Sequence, residues 1–253
     1  MTTNAVKKSL QDGKTVVGCF VPIPSAMTAE ICAHAGFEYI LIDSEHGPTD
    51  TETAYHMMLA AERGGAVPLV RVPMNHPQVI LRYLDIGAAG IMVPQVNSAE
   101  EARGVVESIK YHPEGRRGIA ASRSSAWTIT QPLSEFAGTA NRDTMVIVQF
   151  ENIKSLDRVP EIIEVPGVDV LFIGPNDLAQ SMGHPGQTGH PDVQKVIEDV
   201  CALAREKDII LGTVAADSDT ANVAIGRGIQ MITANSAALL AGAAKGMLSG
   251  INR

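Results

Sequence analysis

The feature that most constrains this chain is the alternation of eight short apolar runs with longer amphipathic segments over its whole length. The runs are rich in Val, Ile and Leu and mostly continuous, which is typical of parallel strands that are covered on both faces. The predicted strands are residues 16–20, 39–42, 68–72, 90–93, 145–150, 168–173, 209–213 and 230–233. Segments with helical periodicity lie between them.

Eight strand–helix units without a break in composition predict one domain, residues 1–253, folded as a closed (β/α)8 TIM barrel in the α/β class. An open doubly wound sheet is the alternative, but no GxGxxG follows the first strand. Residues 111–143 interrupt the repeat between the fourth and fifth units, and they are rich in Gly, Ser and Arg. Because long loops in compact domains are commonly functional, we expect this insertion near the active-site mouth.

Composition excludes several classes of partner. The net charge of −8 argues against nucleic acid and anionic membranes, both of which attract cationic surfaces. The three cysteines are widely spaced in apolar segments, as expected for reduced thiols in an intracellular core. The polar N-terminal segment lacks the apolar region of a signal peptide, and no run reaches the ~18 apolar residues of a membrane span. We therefore expect a cytoplasmic protein that acts on small molecules.

Polar side chains follow five neighbouring predicted strands, and the working residues of a barrel lie at the carboxyl ends of its strands. Strands two to six are followed or ended by Asp43, Glu45, His46, Arg71, Gln95, Gln149, Glu151 and Asp177. Each has a simpler explanation when taken alone: Glu151 and Asp177 are acceptable helix caps, and Arg71 could merely pair with Asp43. Their clustering on consecutive strands favours a functional site.

Two carboxylates in open surroundings suit a divalent cation that keeps several waters, and Mg, Mn, Co and Zn all remain candidates. A 2-oxo acid could bind such an ion through its keto and carboxylate oxygens, with the ion as Lewis acid and Arg71 stabilising the negative charge. The backbone after Gly174 and Pro175 opens a helix and predicts a seat for the substrate carboxylate. A Schiff-base mechanism is disfavoured, because no lysine lies on a predicted strand.

The segments LIDSEHGPTD, LDIGAAGIMVPQVNSAEEA, YHPEGRRG, VQFEN and GVDVLFIGPNDLAQSMG resemble the signatures of the HpcH/HpaI family of class II, metal-dependent pyruvate aldolases. The resemblance runs from about residue 15 to residue 250. It implies reversible cleavage of a 4-hydroxy-2-oxo acid, of the 2-keto-3-deoxy sugar acid or 2,4-dihydroxyhept-2-enedioate type, to pyruvate and an aldehyde. It also implies a (β/α)8 barrel assembled as a homo-hexamer, a trimer of dimers that exchange the C-terminal helix.

The resemblance also implies a role for each matching residue. Glu151 and Asp177 would be the metal ligands, and Gln149 would support a water on the metal. Arg71 would hold the enolate oxygen, Asp43 would orient its neighbours, and His46 paired with Asp85 would transfer the proton of the 4-hydroxyl. The remaining substrate contacts would come from Gly174, Pro175, Asn176 and, in the aldehyde pocket, Arg123 and Trp127. Asp85 could instead be a helix-end acid, and Trp127 a hydrophobic plug.

The main alternative is a lyase of the citrate lyase β type, acting on a malyl- or citramalyl-CoA thioester. A barrel that only binds or scaffolds is disfavoured because every metal and enolate residue is retained. A phosphosugar isomerase is disfavoured because the loops after strands seven and eight lack the glycines of the usual phosphate seat. The segment TANSAALL after the eighth strand departs from the family pattern, which leaves the acceptor aldehyde open.

Overall fold

The computed structural model describes residues 4–251, in which eight parallel strands pair in chain order and close into a barrel. The strands are β1 Val16–Val21, β2 Tyr39–Asp43, β3 Val67–Arg71, β4 Gly90–Val93, β5 Met145–Phe150, β6 Val170–Ile173, β7 Leu211–Val214 and β8 Met231–Asn235. All eight predicted strands are present. The predicted (β/α)8 barrel is thereby confirmed.

The helices are α1 Ala5–Gln11, α2 Ala26–His34, α3 Thr51–Arg63, α4 Pro77–Asp85, α5 Ala99–Ile109, α6 Leu133–Asp143, α7 Val159–Ile163, α8 Pro175–Ser181, α9 Pro191–Lys207, α10 Ser218–Gly226 and α11 Ser236–Ser249. Local sequence explains where several of them begin. Asp50, Ser98 and Asp217 each accept a hydrogen bond from the third backbone N–H of the helix that follows. Such caps satisfy donors that the first helical turn leaves unpaired. None of the helices among the described residues is both long and apolar enough to cross a membrane.

The barrel interior is filled by side chains rather than by solvent. Tyr39 and Phe172 are fully buried there, and each ring lies against a glycine of a neighbouring strand. A Cβ on Gly18 would lie 2.3 Å from the Tyr39 ring, and a Cβ on Gly212 would lie 2.5 Å from the Phe172 ring. A larger apolar layer lies between the strands and the helices, and all three cysteines are buried, as predicted.

The insertion lies at the amino-terminal end of the barrel. It leaves α5 and enters β5, so both of its ends lie where helices return to the start of the strands. Arg117 within it pairs with Asp85 at the end of α4, at 2.8 Å, and Arg123 donates to the carbonyl of Ile86 at 2.9 Å. The expectation that residues 111–143 lie near the mouth is therefore wrong for the chain's own barrel, whose mouth is at the opposite end.

Helix α11 packs little of its apolar surface on its own barrel. Ser236 at its start is buried, whereas Leu240, Met247 and Leu248 are 63, 74 and 55% exposed. Exposed apolar side chains clustered on one element are typical of surfaces that another molecule covers. The exchange of this helix between subunits stays a prediction.

Candidate active site

The carboxyl ends of β2, β3, β5 and β6 bring the predicted polar residues to one end of the barrel. The register pairs Asp43, the last residue of β2, with Arg71, the last residue of β3. Gln149 and Phe150 of β5 pair with Phe172 and Ile173 of β6. Glu151 and Asp177 therefore leave neighbouring strands at the same edge.

Arg71 is buried and its guanidinium is held on several sides. Asp43 accepts from Nε at 3.0 Å and from Nη2 at 2.7 Å, and Glu45 lies 3.2 Å from Nη1. The guanidinium carbon lies 4.5 Å from the centre of the Phe20 ring. Asp43 also accepts the backbone N–H groups of Glu45 and His46, which shapes the loop that follows β2. Asp43 therefore joins Arg71 to the loop after β2, and its role in catalysis stays a prediction.

Glu151 is buried, and both of its carboxylate oxygens have protein donors. The backbone N–H of Gln95 donates to Oε1 at 2.8 Å, and the side-chain amide of Gln149 donates to Oε2 at 2.9 Å. Neither candidate ligand is a helix cap: Asn152 caps the helical turn after Glu151, and within the described chain no side chain caps α8, where Asp177 lies. The capping explanation of these two acids is therefore wrong.

Neighbouring negative charges contribute to the raised pKa values of Glu151 and Glu45 at this edge. The pKa of Glu151 is raised to about 7, chiefly by burial; the Gln95 N–H and the charge of Arg71 oppose the rise, and the charges of Glu45 and Asp177 add to it. Burial also raises the pKa of Glu45, with a further contribution from Asp177. Carboxylates that disfavour one another's ionisation form an arrangement that a bound cation relieves.

Two further observations fit a divalent ion with attached water. Oε1 of Gln149 is buried and has no hydrogen-bond partner among residues 4–251, so it can accept from a water in the site. Gly174 lies so close that a Cβ there would stand 2.8 Å from Oε2 of Glu151. Glu151 and Asp177 are the residues that would hold the ion, because hard divalent cations prefer carboxylate oxygens.

The start of α8 offers fewer donors than its residues suggest. The N–H of Gly174 is already used by the carbonyl of Phe150 at 2.9 Å, and Pro175 has no N–H. The first bond within the helix runs from Leu178 to the carbonyl of Gly174 at 3.0 Å. In the predicted binding site for the substrate carboxylate, the backbone N–H groups of Asn176 and Asp177 therefore remain, because neither has a partner inside the helix.

Two predicted contributions are not brought to this site within one subunit. His46 is exposed in the loop after β2, but Asp85 ends α4 at the amino-terminal end and pairs with Arg117. The expected pairing of His46 with Asp85 is therefore wrong within one chain, because α4 runs antiparallel to the strands. Arg123 is likewise held at that end, where it pairs with Glu62 at 2.5 Å. It does not line the chain's own mouth.

The roles of two other residues were not foreseen from the sequence. Glu45 follows a strand end closely enough to be a candidate site residue, but its contact with Arg71 depends on the conformation of the loop, which the sequence does not give. Gln95 contributes through its backbone N–H, which no residue type in a sequence reveals. The sequence also does not predict the left-handed φ of Gln95, +54°, because that conformation is expected at Gly or Asn rather than at Gln.

A separate group of possible metal ligands lies near the start of α9. Oδ2 of Asp192 is 3.6 Å from Nε2 of His184 and 3.7 Å from Nδ1 of His190. The two imidazoles are stacked, however, with 3.6 Å between centroids and 14° between planes, so their in-plane lone pairs do not converge. Nδ1 of His190 also accepts the N–H of Asp192. This group fits a helix cap better than a metal site.

Comparisons with known proteins agree with the geometry. Residues 16–240 match the family model of HpcH/HpaI aldolase/citrate lyase. The hydroxypyruvate/pyruvate aldolase of Roseobacter denitrificans is 37% identical over 229 residues, 90% of this chain and 89% of that protein. A 5-keto-4-deoxy-D-glucarate aldolase of Salmonella arizonae is 37% identical over 218 residues, 85% of this chain and 84% of that protein.

A solved structure extends the match to the fold. A HpcH/HpaI aldolase/citrate lyase family protein from Burkholderia cenocepacia superposes with a TM-score of 0.93 at 33% identity, covering 98% of both chains. A citrate lyase β subunit from M. tuberculosis reaches a TM-score of 0.56 at 14% identity, covering 88% of this chain and 92% of that one, and so shares the fold alone. The relatives named as aldolases match over most of the chain, so the protein is an enzyme of the aldolase type. The chain belongs to the HpcH/HpaI aldolase/citrate lyase family.

Proposed function

We propose that the protein cleaves a 4-hydroxy-2-oxo acid reversibly to pyruvate and an aldehyde, with a divalent metal held by Glu151 and Asp177. The observation that carries the proposal is the meeting of these two acids and Glu45 with Arg71 at the carboxyl end of the barrel. The relatives named as pyruvate and keto-deoxy-glucarate aldolases support the same substrate class.

When bound, the metal would act as a Lewis acid on the 2-oxo group of the substrate. Arg71 donates to the same oxygen from a guanidinium that Asp43 already fixes, so little reorganisation accompanies the developing negative charge. The N–H groups of Asn176 and Asp177 receive the substrate carboxylate. His46, exposed at the mouth, moves the proton of the 4-hydroxyl.

The aldehyde end of the substrate would meet a second subunit. Asp85 and the insertion, which includes Arg123, lie at the amino-terminal end, so they can reach an active site only in another copy of the chain. The exposed apolar side chains of α11 support such an assembly, which the resemblance predicts to be a homo-hexamer. In that arrangement His46 and Asp85 would pair across an interface.

Metal dependence is the direct test. The purified enzyme is dialysed against a chelator, and pyruvate release from 4-hydroxy-2-oxo acids is assayed before and after adding Mg, Mn, Co or Zn. We expect loss of turnover and recovery with at least one metal. Full turnover of chelated enzyme with no measurable metal content would overturn the proposal. Cleavage of malyl- or citramalyl-CoA but of no 4-hydroxy-2-oxo acid would instead support the thioester lyase.

A further inference from the structure

Gln95 adopts a backbone conformation that is unfavourable for its residue type. Its φ is +54°, in the left-handed region, two residues beyond the end of β4. A residue with a Cβ pays a steric cost there, and such conformations persist only where the surroundings enforce them. The side chain of Gln95 is exposed, so packing of that side chain does not enforce it.

The peptide after Gln95 is tied to the first turn of α5. The side-chain amide of Asn97 donates to the carbonyl of Gln95 at 2.7 Å. The backbone N–H of Asn97 donates to the carboxylate of Glu101 at 2.6 Å, and Ser98 caps the helix by accepting from the N–H of Glu101 at 3.2 Å. The amide of Asn97 therefore holds the turn in which Gln95 is left-handed.

The left-handed turn directs the N–H of Gln95 at Glu151. That N–H donates to Oε1 at 2.8 Å, and the Gln149 amide donates to Oε2 at 2.9 Å. Gly174 lies close to the same side chain, which restricts the orientation of the carboxylate further. Hydrogen-bond donors of the protein therefore set the direction of the Glu151 lone pairs that remain for a ligand. The position of one of these donors, the Gln95 N–H, depends on the loop after β4.

We propose that Asn97 is a positioning residue for Glu151, acting through the backbone of Gln95. The inference rests on the proposed function, because it takes Glu151 as a metal ligand. Donors that orient a ligand carboxylate contribute to metal affinity even though they do not touch the metal. Loss of the Asn97 amide lets Gln95 relax toward negative φ, which turns its N–H away from Glu151.

The test measures Mn²⁺ binding to metal-free enzyme by calorimetry, at one fixed pH and without substrate. Asn97→Ala should raise the dissociation constant about tenfold, the lower end of the effect of losing an outer-shell partner. The melting temperature of this variant should stay near that of the wild type. Ser98→Ala is the matched control: it removes the cap of α5 and lowers the melting temperature, but it leaves the bond between Asn97 and Gln95 intact. Its Mn²⁺ affinity should not change.

An unchanged dissociation constant in Asn97→Ala would overturn the inference. So would an equal loss of affinity in Asn97→Ala and Ser98→Ala, because the effect would then follow helix stability. The proposed function fails separately, if the wild type binds no Mn²⁺ or if Glu151→Gln binds it as tightly as the wild type.

Discussion

Arg71 and Asp43 are joined by two hydrogen bonds across neighbouring strands, from Nε at 3.0 Å and from Nη2 at 2.7 Å. The parallel register of β2 and β3 places the two residues side by side at the last rung of the ladder. A bidentate pair of this kind fixes the plane of the guanidinium as well as its position. The remaining donor of the guanidinium, Nη1, contacts Glu45 and lies at the end of the barrel where substrate is proposed to bind.

Arg71→Lys should therefore lose activity although it keeps the charge. An ammonium cannot make the planar bidentate contact with Asp43 and also reach the substrate oxygen. We expect kcat to fall about 100-fold, with a smaller change in KM, as for loss of one donor to a developing oxyanion. Arg82→Lys, on the exposed face of α4, serves as the control. A change confined to KM would mean that Arg71 binds substrate and transition state equally well.

Gly174→Ala tests the close packing around Glu151. The φ of Gly174 is −95°, which alanine adopts freely, so any effect comes from the added methyl group. That methyl would lie 2.8 Å from Oε2 and 2.9 Å from Cβ of Glu151. We expect a loss of 1–3 kcal/mol in unfolding free energy, roughly what overpacking costs, together with weaker metal binding. Gly189→Ala, whose Cβ would meet nothing within 4 Å, should be neutral in both measurements.

The barrel and the carboxylate pair were predictable because both depend on local sequence. A continuous apolar run identifies a buried strand, and Glu151 and Asp177 follow the ends of their strands by one and four residues. Side chains that leave adjacent parallel strands at the same end must approach one another. The hydrogen-bond network around Glu151 was harder to predict from the sequence, because the bond between Gln95 and Glu151 joins residues 56 positions apart through a backbone N–H.

The position of the insertion could have been derived from element order and was nevertheless predicted wrongly. A segment between a helix and the next strand returns to the amino-terminal end of a barrel, whatever its composition suggests. Asp85 and Arg123 were misplaced within the chain for the same reason, because both belong to that end. If a second subunit completes the site, as proposed, the site cannot be assembled from one chain's strand ends alone.

The raised pKa of Glu151 predicts a pH dependence of the metal-free protein. In the folded state this pKa is about 7, against 4.5 for an ordinary Glu, so the folded protein holds the proton more tightly than the unfolded chain. The resulting stabilisation is complete below pH 4.5 and is lost as the pH rises through 7. Its full size is about 3 kcal/mol, taking 1.36 kcal/mol per pKa unit.

Glu151→Gln removes this titration while keeping a neutral side chain. Melting temperatures of both proteins, measured with chelator from about pH 5 to 8, should show the wild type losing stability relative to the variant as the pH rises. Metal affinity of the wild type should increase over the same range, because ligation needs the carboxylate. A difference in melting temperature that does not vary with pH would contradict the raised pKa.

Asp85 has a structural role within its own chain that is separable from catalysis. Its partner Arg117 is 1% exposed at the side chain, whereas Asp85 itself is 26% exposed. Asp85→Asn should lower the unfolding free energy by about 1–3 kcal/mol, since it leaves a buried guanidinium without its counter-charge. Urea unfolding measures the change. Glu107→Gln, which breaks the exposed pair with Arg116, should have almost no effect, and equal losses in the two variants would contradict this account.

Charge placed on α11 tests whether a second subunit covers this helix. Leu240 is 63% exposed on its own barrel, so Leu240→Glu should not harm the fold of one subunit. If the helix is buried between subunits, the added carboxylate must be desolvated there, and light scattering should show a smaller species than the wild type. Val223→Glu, at an apolar side chain of α10 that is 56% exposed, is the matched control and should keep the wild-type mass. A wild type that is monomeric, or a Leu240→Glu variant of unchanged mass, would mean that α11 is not an interface. In that case the insertion would also lack a route to a neighbouring active site.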